Sequence, residues 1–561
     1  MTTRLLLALR LACLALPLVF STGCKKIDDN TAVEVAVPAV AAADPDAFHV
    51  LATSDLRDAK PLEEMVKKAT GVSLHFRYGG TMESTEEVQN GEAQADAAWF
   101  ANAKYLLSDP KGQARVKLQE KIMLSPIVVG VSESQAKELG WDQPAVAAKI
   151  TWSTIAKAAA EGKLKYALSN PATSNQGFMA LMGVAAAASQ KAEALTAQDV
   201  DRGAISNFIK GYKLPGDNST YLSEKFIAQQ GTRVNAFINY ESWLLSLNQS
   251  GKLKEKLTLI YPLEGVATAE YPLMLLDDSK RDQYQKVVAY LKGPEAQTWL
   301  TKTTLRRPIN AEVAAAQSGL FPQGSVLVEL PFSPDRALAD GLIDAYLNEF
   351  RPPIAFTFVL DTSGSMNGDG RRQQLVQALQ YIAGDDASLT GRIARLTSRE
   401  KIWMLPFAKE VGQASYFELP AGKPSAKGVQ VQTDTAAKQA VLGEVRDYAD
   451  RLDMGGGTAL YDAVLLALKN MTAERAKNPK YQYSVVAFTD GENNEGRNLA
   501  AFKAAYAALP EDVKAIPVFM VVFGEANEAE LKELVATTGG KLFDARKASL
   551  YSVFKDIRAY Q

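Results

Sequence analysis

Four apolar runs in the second half of the chain constrain the fold more than any other feature: FTFVL (356–360), KIWML (401–405), YSVVAF (483–488) and PVFMVVF (517–523). Each is nearly continuous rather than alternating, the pattern of strands buried on both faces in a parallel sheet covered by helices. The segments between them have helical spacing. Leu375, Leu379 and Ile382 share one face of RRQQLVQALQYIA, and Tyr461, Val464, Leu465 and Leu468 share one face of TALYDAVLLALKN. The expectation is a doubly wound α/β domain beginning at Ile354, with polar joints at the strand ends where ligands gather in open parallel sheets.

The first run leads directly into DTSGSMNGDG, which places Asp361, Ser363 and Ser365 at alternate positions. Read alone, this could be a polar turn. The same domain supplies GGGTALYDA around Thr458 and AFTDGENN around Asp490, both at joints beside strands. Five side chains offering oxygen only, with few carboxylates, suit a hard cation that keeps some of its waters. Magnesium fits this better than a calcium cage would.

The ordered triplet DTSGS, GGGT and TDG resembles the metal-ion-dependent adhesion site of the von Willebrand factor A domain, over about residues 354–561. The resemblance implies that Ser363, Ser365 and Thr458 approach a Mg²⁺ ion, with Ca²⁺ or Mn²⁺ as alternatives, and that Asp361 and Asp490 act largely through water. It also implies that an acidic side chain from a protein partner completes the shell. Glu410 to Thr435 reads as a hairpin or surface insertion near the edge of this domain.

The first half alternates strand-like and helical segments, FHVLATS, LRDAKPLEEMVKKATG, VSLHFRYGG and TMESTEEVQNG, again the signature of a parallel sheet flanked by helices. Small polar residues recur at the strand-to-helix joints: Ser54 with Asp55, Thr81 after two glycines, and Thr173 and Ser174 in SNPATSNQG. Any one of them is explained by helix capping, and their recurrence raises the case for a site. The order of ADAAWFANAKYL, KIMLSPIVVGVS, YALSNPATSNQGFMAL, NAFINYESWLL and LIYPLEGVATAEYPLMLLD resembles the two-lobed bacterial extracellular solute-binding proteins. That resemblance covers about 49–310. It implies lobe crossings near SPIVVGV and YPLMLL, and a cleft contributed by Ser54, Thr81, Thr173, Ser174 and Tyr240. Hydroxyls and helix N-termini suit an oxyanion, whereas Asp55 and Glu241 favour an amine or a metal-bearing ligand, so the ligand class stays open. Trp99 and Phe100 read as core.

The chain starts MTTRLLLALRLACLALPLVFSTGCKK, a short basic region followed by an apolar stretch and small residues before Cys24, the layout of a secretion signal. STGC resembles a lipoprotein lipobox, with Ser21 where leucine is usual, and implies cleavage before Cys24 and lipidation of its thiol. An uncleaved membrane helix is the alternative, although Arg10 and Pro17 interrupt its short apolar run. The expected organisation is a signal peptide at 1–23, a lipidated Cys24 and tether at 24–48, the solute-binding-like domain at 49–310, a linker with a helix at 311–353, and the metal-site domain at 354–561.

The only other cysteine, Cys13, lies in the signal, so the mature chain has no pair to cross-link. A net charge of −2 over 561 residues gives no reason to expect nucleic acid. The two histidines, His49 and His75, fall in strand patterns away from the metal motifs, and no nucleophile and base pair is visible, which argues against an enzyme. The expected protein is an envelope lipoprotein that binds a protein partner through metal and a small molecule through its cleft. The alternative is an importer's solute receptor carrying a docking accessory, and a metal-dependent hydrolase that activates water at the cation ranks behind both. The short, proline-ended join at 311–353 further suggests that the two halves are coupled.

Overall fold

The computed structural model describes residues 47–561 apart from 190, 192–194, 323–326, 331–332, 334 and 548–549. The signal-like segment, Cys24 and nearly all of the tether lie outside those residues. Among the described residues no helix is long and apolar enough to cross a membrane.

The first sheet has the strand order Leu74–Gly79, Phe48–Thr53, Ala97–Trp99, Pro272–Leu275, Leu118–Lys121. The first three strands run parallel, and Pro272–Leu275 is inserted antiparallel beside them. A second sheet is built on the long strand Met123–Ser132, which pairs antiparallel with Ala236–Tyr240, Leu257–Ile260 and Thr268–Ala269. The chain therefore crosses between sheets at Ile122 and returns through Glu270 and Tyr271. Tyr271 absorbs the reversal with a left-handed φ of 42°, and its fully buried side chain sits between the two sheets.

The third sheet has the order Ser415–Glu418, Glu400–Phe407, Ile354–Asp361, Gln482–Thr489, Val518–Val522, Leu542–Asp544, all parallel except the first, edge strand. Alternation along Ile354–Asp361 sends Ile354, Phe356, Phe358 and Leu360 into one core and Ala355 and Val359 into the other. Leu375, Leu379 and Ile382 join the first core, and Tyr461, Val464, Leu465 and Leu468 join the second. This is the doubly wound arrangement that continuous apolar strands require.

Two segments do more than the sequence indicates. The helix Arg336–Ala345, capped by Asp335, lies within the stretch read as a linker, yet Leu338, Ala339, Leu342 and Ile343 are buried in the core of the first half. Their spacing makes one apolar face, and that face packs on the two-lobed region rather than bridging solvent. The stretch Glu410–Thr435, read as an edge insertion, does supply the edge strand and a small hairpin, Lys423–Pro424 with Val431–Gln432. Its tip reaches the first half, where Val429 is fully buried and its N–H donates to the Ala197 carbonyl at 2.9 Å.

Candidate functional sites

At the carboxyl end of the third sheet, Asp361 is the last residue of its strand and is completely buried. One carboxylate oxygen accepts the Ser363 N–H at 2.9 Å and the other accepts the Thr489 hydroxyl at 2.8 Å. The Ser363 and Ser365 hydroxyls lie 3.0 Å apart, and Ser365 donates to Asp490 Oδ1 at 2.8 Å. Asp490 Oδ2 accepts from Arg371 Nη1 at 2.8 Å, while Arg371 Nη2 reaches Asp369 at 2.9 Å.

The glycine loop is laced to this cluster through backbone: Gly364 N–H donates to Gly456 O at 3.0 Å and Gly455 N–H to Thr362 O at 2.8 Å. Thr458 is buried, held by its own N–H on Asn494 Oδ1 at 2.7 Å and by its carbonyl, which accepts the Asn494 N–H at 3.0 Å. Four of the five expected residues thus form one hydrogen-bonded chain at two strand ends, whereas Thr458, expected beside a strand, lies in the loop between the helices Ala436–Asp450 and Leu460–Lys477 and meets the cluster through the backbone of its glycine loop.

Burial pushes the Asp361 carboxyl up to about 6. The hydrogen bonds from Ser363 and Thr489 pull it down, and the neighbouring Asp490 charge adds to the rise. Two buried carboxylates and several hydroxyls, with no nitrogen or sulfur donor among the five, form a set suited to a hard cation. Arg371, Thr489 and Asn494 were not singled out in the sequence. Arg371 follows the loop directly in GDGR, and a cation six residues after the last site serine is a weak signal on its own.

In the first half, Ser54, Thr81, Thr173, Ser174 and Tyr240 all line one small pocket of about 50 Å³ between the two lobes. The Thr81 hydroxyl lies 2.9 Å from that of Thr53, which donates to Asp55 Oδ1 at 2.7 Å. Ser174 is bonded to the Ser169 hydroxyl at 2.8 Å. Tyr240 OH accepts from Asn175 Nδ2 at 2.9 Å, which leaves its own proton free to donate, and burial pushes its phenol well above the ordinary range. The Thr173 hydroxyl is buried without a hydrogen-bond partner.

The two acids that complicated an anionic ligand are both matched. Glu241 is fully buried and bound by Arg307 at 2.6 and 2.7 Å. Asp55 takes the Tyr271 hydroxyl at 2.7 Å, and Arg306 approaches it at 4.0 Å. Trp99 and Phe100 are core, with Trp99 Nε1 donating to the Tyr271 carbonyl at 2.9 Å. His49 and His75 stand in register on adjacent strands with ring centroids 5.9 Å apart.

Residues 49–306 match the family model of bacterial extracellular solute-binding proteins, and residues 425–556 match that of the von Willebrand factor type A domain. The chain joins a solute-binding-protein-like region to a von Willebrand factor A (VWA) domain. Among curated proteins none matches the chain. Solved structures similar to it include periplasmic binding proteins. AfuA of Actinobacillus pleuropneumoniae, with fructose-6-phosphate bound, is 13% identical with a TM-score of 0.43, over 54% of this chain and 98% of that one. A Trichodesmium protein (IdiA, FutA) in complex with iron and citrate is 15% identical with a TM-score of 0.38, over 53% and 97%. The sulfate-binding protein SubI of Mycobacterium tuberculosis is 15% identical with a TM-score of 0.39, over 52% and 96%.

The VWA match begins after the DTSGS loop and includes Thr458 and Asp490. The strand Ile354–Asp361 nevertheless lies in the middle of the VWA sheet, paired on both sides, so the loop and the matched span share one sheet end.

Proposed function

We propose that this chain is a recognition protein of the cell envelope, anchored by lipid at Cys24. Its VWA domain captures an acidic protein partner through a divalent cation, and its first half takes a small solute. The observation that carries this reading is the meeting of two buried carboxylates, Asp361 and Asp490, within one oxygen-only cluster bridged by serine hydroxyls.

Asp361, Ser363, Ser365, Thr458 and Asp490 would hold Mg²⁺, with Ca²⁺ or Mn²⁺ as alternatives. When bound, the cation supplies a positive centre that a partner's carboxylate can complete. The chain's own residues do the rest. Ser363 N–H and the Thr489 hydroxyl orient Asp361, Ser365 orients Asp490, and Arg371 holds the outer oxygen of Asp490. Binding rather than catalysis fits the two histidines, which serve as paired sheet residues.

Native mass spectrometry of the mature chain tests this. One divalent ion should be retained by the wild-type protein and lost from Asp361→Ala. Failure of the wild-type protein to retain any divalent ion would reject the metal site.

A second reading, a solute receptor of an importer with the VWA domain as a docking accessory, is favoured by the five polar residues that converge on one interlobe pocket. It predicts permease and ATPase genes beside this one. Loss of partner capture in Asp361→Ala, with solute binding intact, would count against it.

A further inference from the structure

We propose that the VWA domain is the lid of the solute cleft, so that a solute enters or leaves only when this domain lifts from the rim. The inference extends the reading of the cleft as a solute site.

The short helix Leu389–Ala394 and the C-terminal helix Leu550–Ala559 pack on each other and lie across the mouth of the cleft. They touch both lobes. On the first lobe, the Glu86 carboxylate accepts the N–H groups of Leu389 and Thr390, each at 3.0 Å, and also the Thr390 hydroxyl. Lys555 pairs with Glu83 of the same lobe at 2.5 Å.

On the second lobe, Asn170 Nδ2 reaches the carbonyls of Arg558 and Ala559 at 3.4 Å. Tyr221 meets Tyr560 edge to face at 4.7 Å, and Lys541 approaches Asp217 at 3.6 Å. Beneath this cover lies a cavity of about 280 Å³, with Ser54 and Tyr78 from one lobe, Thr173 and Asp217 from the other, and Ile393 and Lys555 from the VWA domain. Ser54 and Thr173 also line the deeper pocket, so the solute site sits directly under the VWA helices.

Both seams combine apolar and polar contacts. Toward the second lobe and the Arg336–Ala345 helix, the attachment includes apolar burial: the Tyr221 and Tyr560 rings, and Val429 in the first half's core. Toward the rim helix Thr81–Asn90 the contact is mixed: Leu389 and Ile393 are buried in one core cluster with Met82, the Glu86 carboxylate accepts the Leu389 and Thr390 N–H groups, and Lys555 pairs with Glu83. The Glu86 hydrogen bonds and the Lys555–Glu83 pair are the polar contacts of the rim seam that substitution can remove. The covering helix also packs on the strand that ends in Asp361, with Phe554 edge to face on Phe358 at 5.7 Å, so the lid and the oxygen cluster share a core.

Thiol accessibility tests the lid without knowledge of the solute. A single cysteine at Ser174→Cys, in the mature full-length chain, would be alkylated with a small maleimide, with the chain lacking that cysteine as background. Labelling should be slow, and roughly tenfold faster in Glu86→Ala/Lys555→Ala, because a weakened seam raises the open fraction. Equal rates with the seam intact and broken would overturn the proposal, as would rapid labelling in the intact chain. Should the double variant lose its fold by circular dichroism, the single Lys555→Ala variant decides: its labelling must still exceed that of the intact-seam protein. A cleft that binds no solute leaves these rates unchanged, so failure of the solute reading and failure of the lid are told apart.

Discussion

Under the proposed metal reading Asp361 carries opposing demands, because its carboxylate is fully enclosed yet would have to be charged to hold a cation. Its carboxyl is raised to about 6, first by burial, so without metal the charged form penalises the folded state above that pH. The stabilising contribution of the protonated form is complete below the ordinary carboxylate value of 3.8 and is lost as pH rises through about 6. The gap corresponds to about 3 kcal/mol at pH 8. In chelator-treated protein, Asp361→Asn should therefore raise the melting temperature relative to wild type at pH 8 and lose most of that advantage by pH 4. With metal the order should reverse, since the asparagine variant gains nothing from added Mg²⁺. Calorimetric melts of both proteins with and without Mg²⁺ would show this. Isothermal titration should also find Mg²⁺ affinity falling about tenfold per pH unit below 6, as the Asp361 proton competes with the ion.

Between elements, one joint is a buried charge cluster. Glu400, at the start of its strand, accepts from Arg351 at 2.7 Å and also from Arg558 in the C-terminal helix, and all three are almost completely buried. Burial, and next the Arg558 charge, lower Arg351 to about 10. Replacing Glu400 with alanine leaves two enclosed guanidinium groups without a counter-charge, which should cost about 3–5 kcal/mol, read as a shift in urea midpoint. The hairpin is a second joint between elements. Gly428 has a φ of +74°, and a Cβ there would come within 2.3 Å of the Ala197 carbonyl. Gly428→Ala should undock the hairpin at a cost of roughly 1–3 kcal/mol, with faster amide exchange confined to residues 423–432 and their contacts.

In the molecule as a whole, the stretch between the two halves acts as shared core. Leu338, Leu342 and Ile343 belong to the core of the solute-binding-protein-like half, although they follow the span that resembles that family. A chain ending at residue 330 should melt well below one ending at 350, which keeps this helix, since uncovering three large aliphatic side chains costs about 2 kcal/mol or more each.

The doubly wound sheet, the two lobes and their crossing points were legible because apolar runs and helical spacing are local patterns that burial imposes on the residues themselves. The oxygen cluster was legible for the same reason: Asp361, Ser363, Ser365, Thr458 and Asp490 each sit in a short loop whose composition shows at once. Arg371 on Asp490, the matching of Glu241 by Arg307, and the grip of Glu86 on Leu389 were not. Such contacts join side chains far apart in the chain, and a charged residue on a helix face looks the same in sequence whether water or another domain covers it. Sequence alone determined the two modules and the polar loops at their strand ends. Only the tertiary structure decided that one module lies over the other's cleft, because that depends on which surfaces meet, and no local periodicity records it.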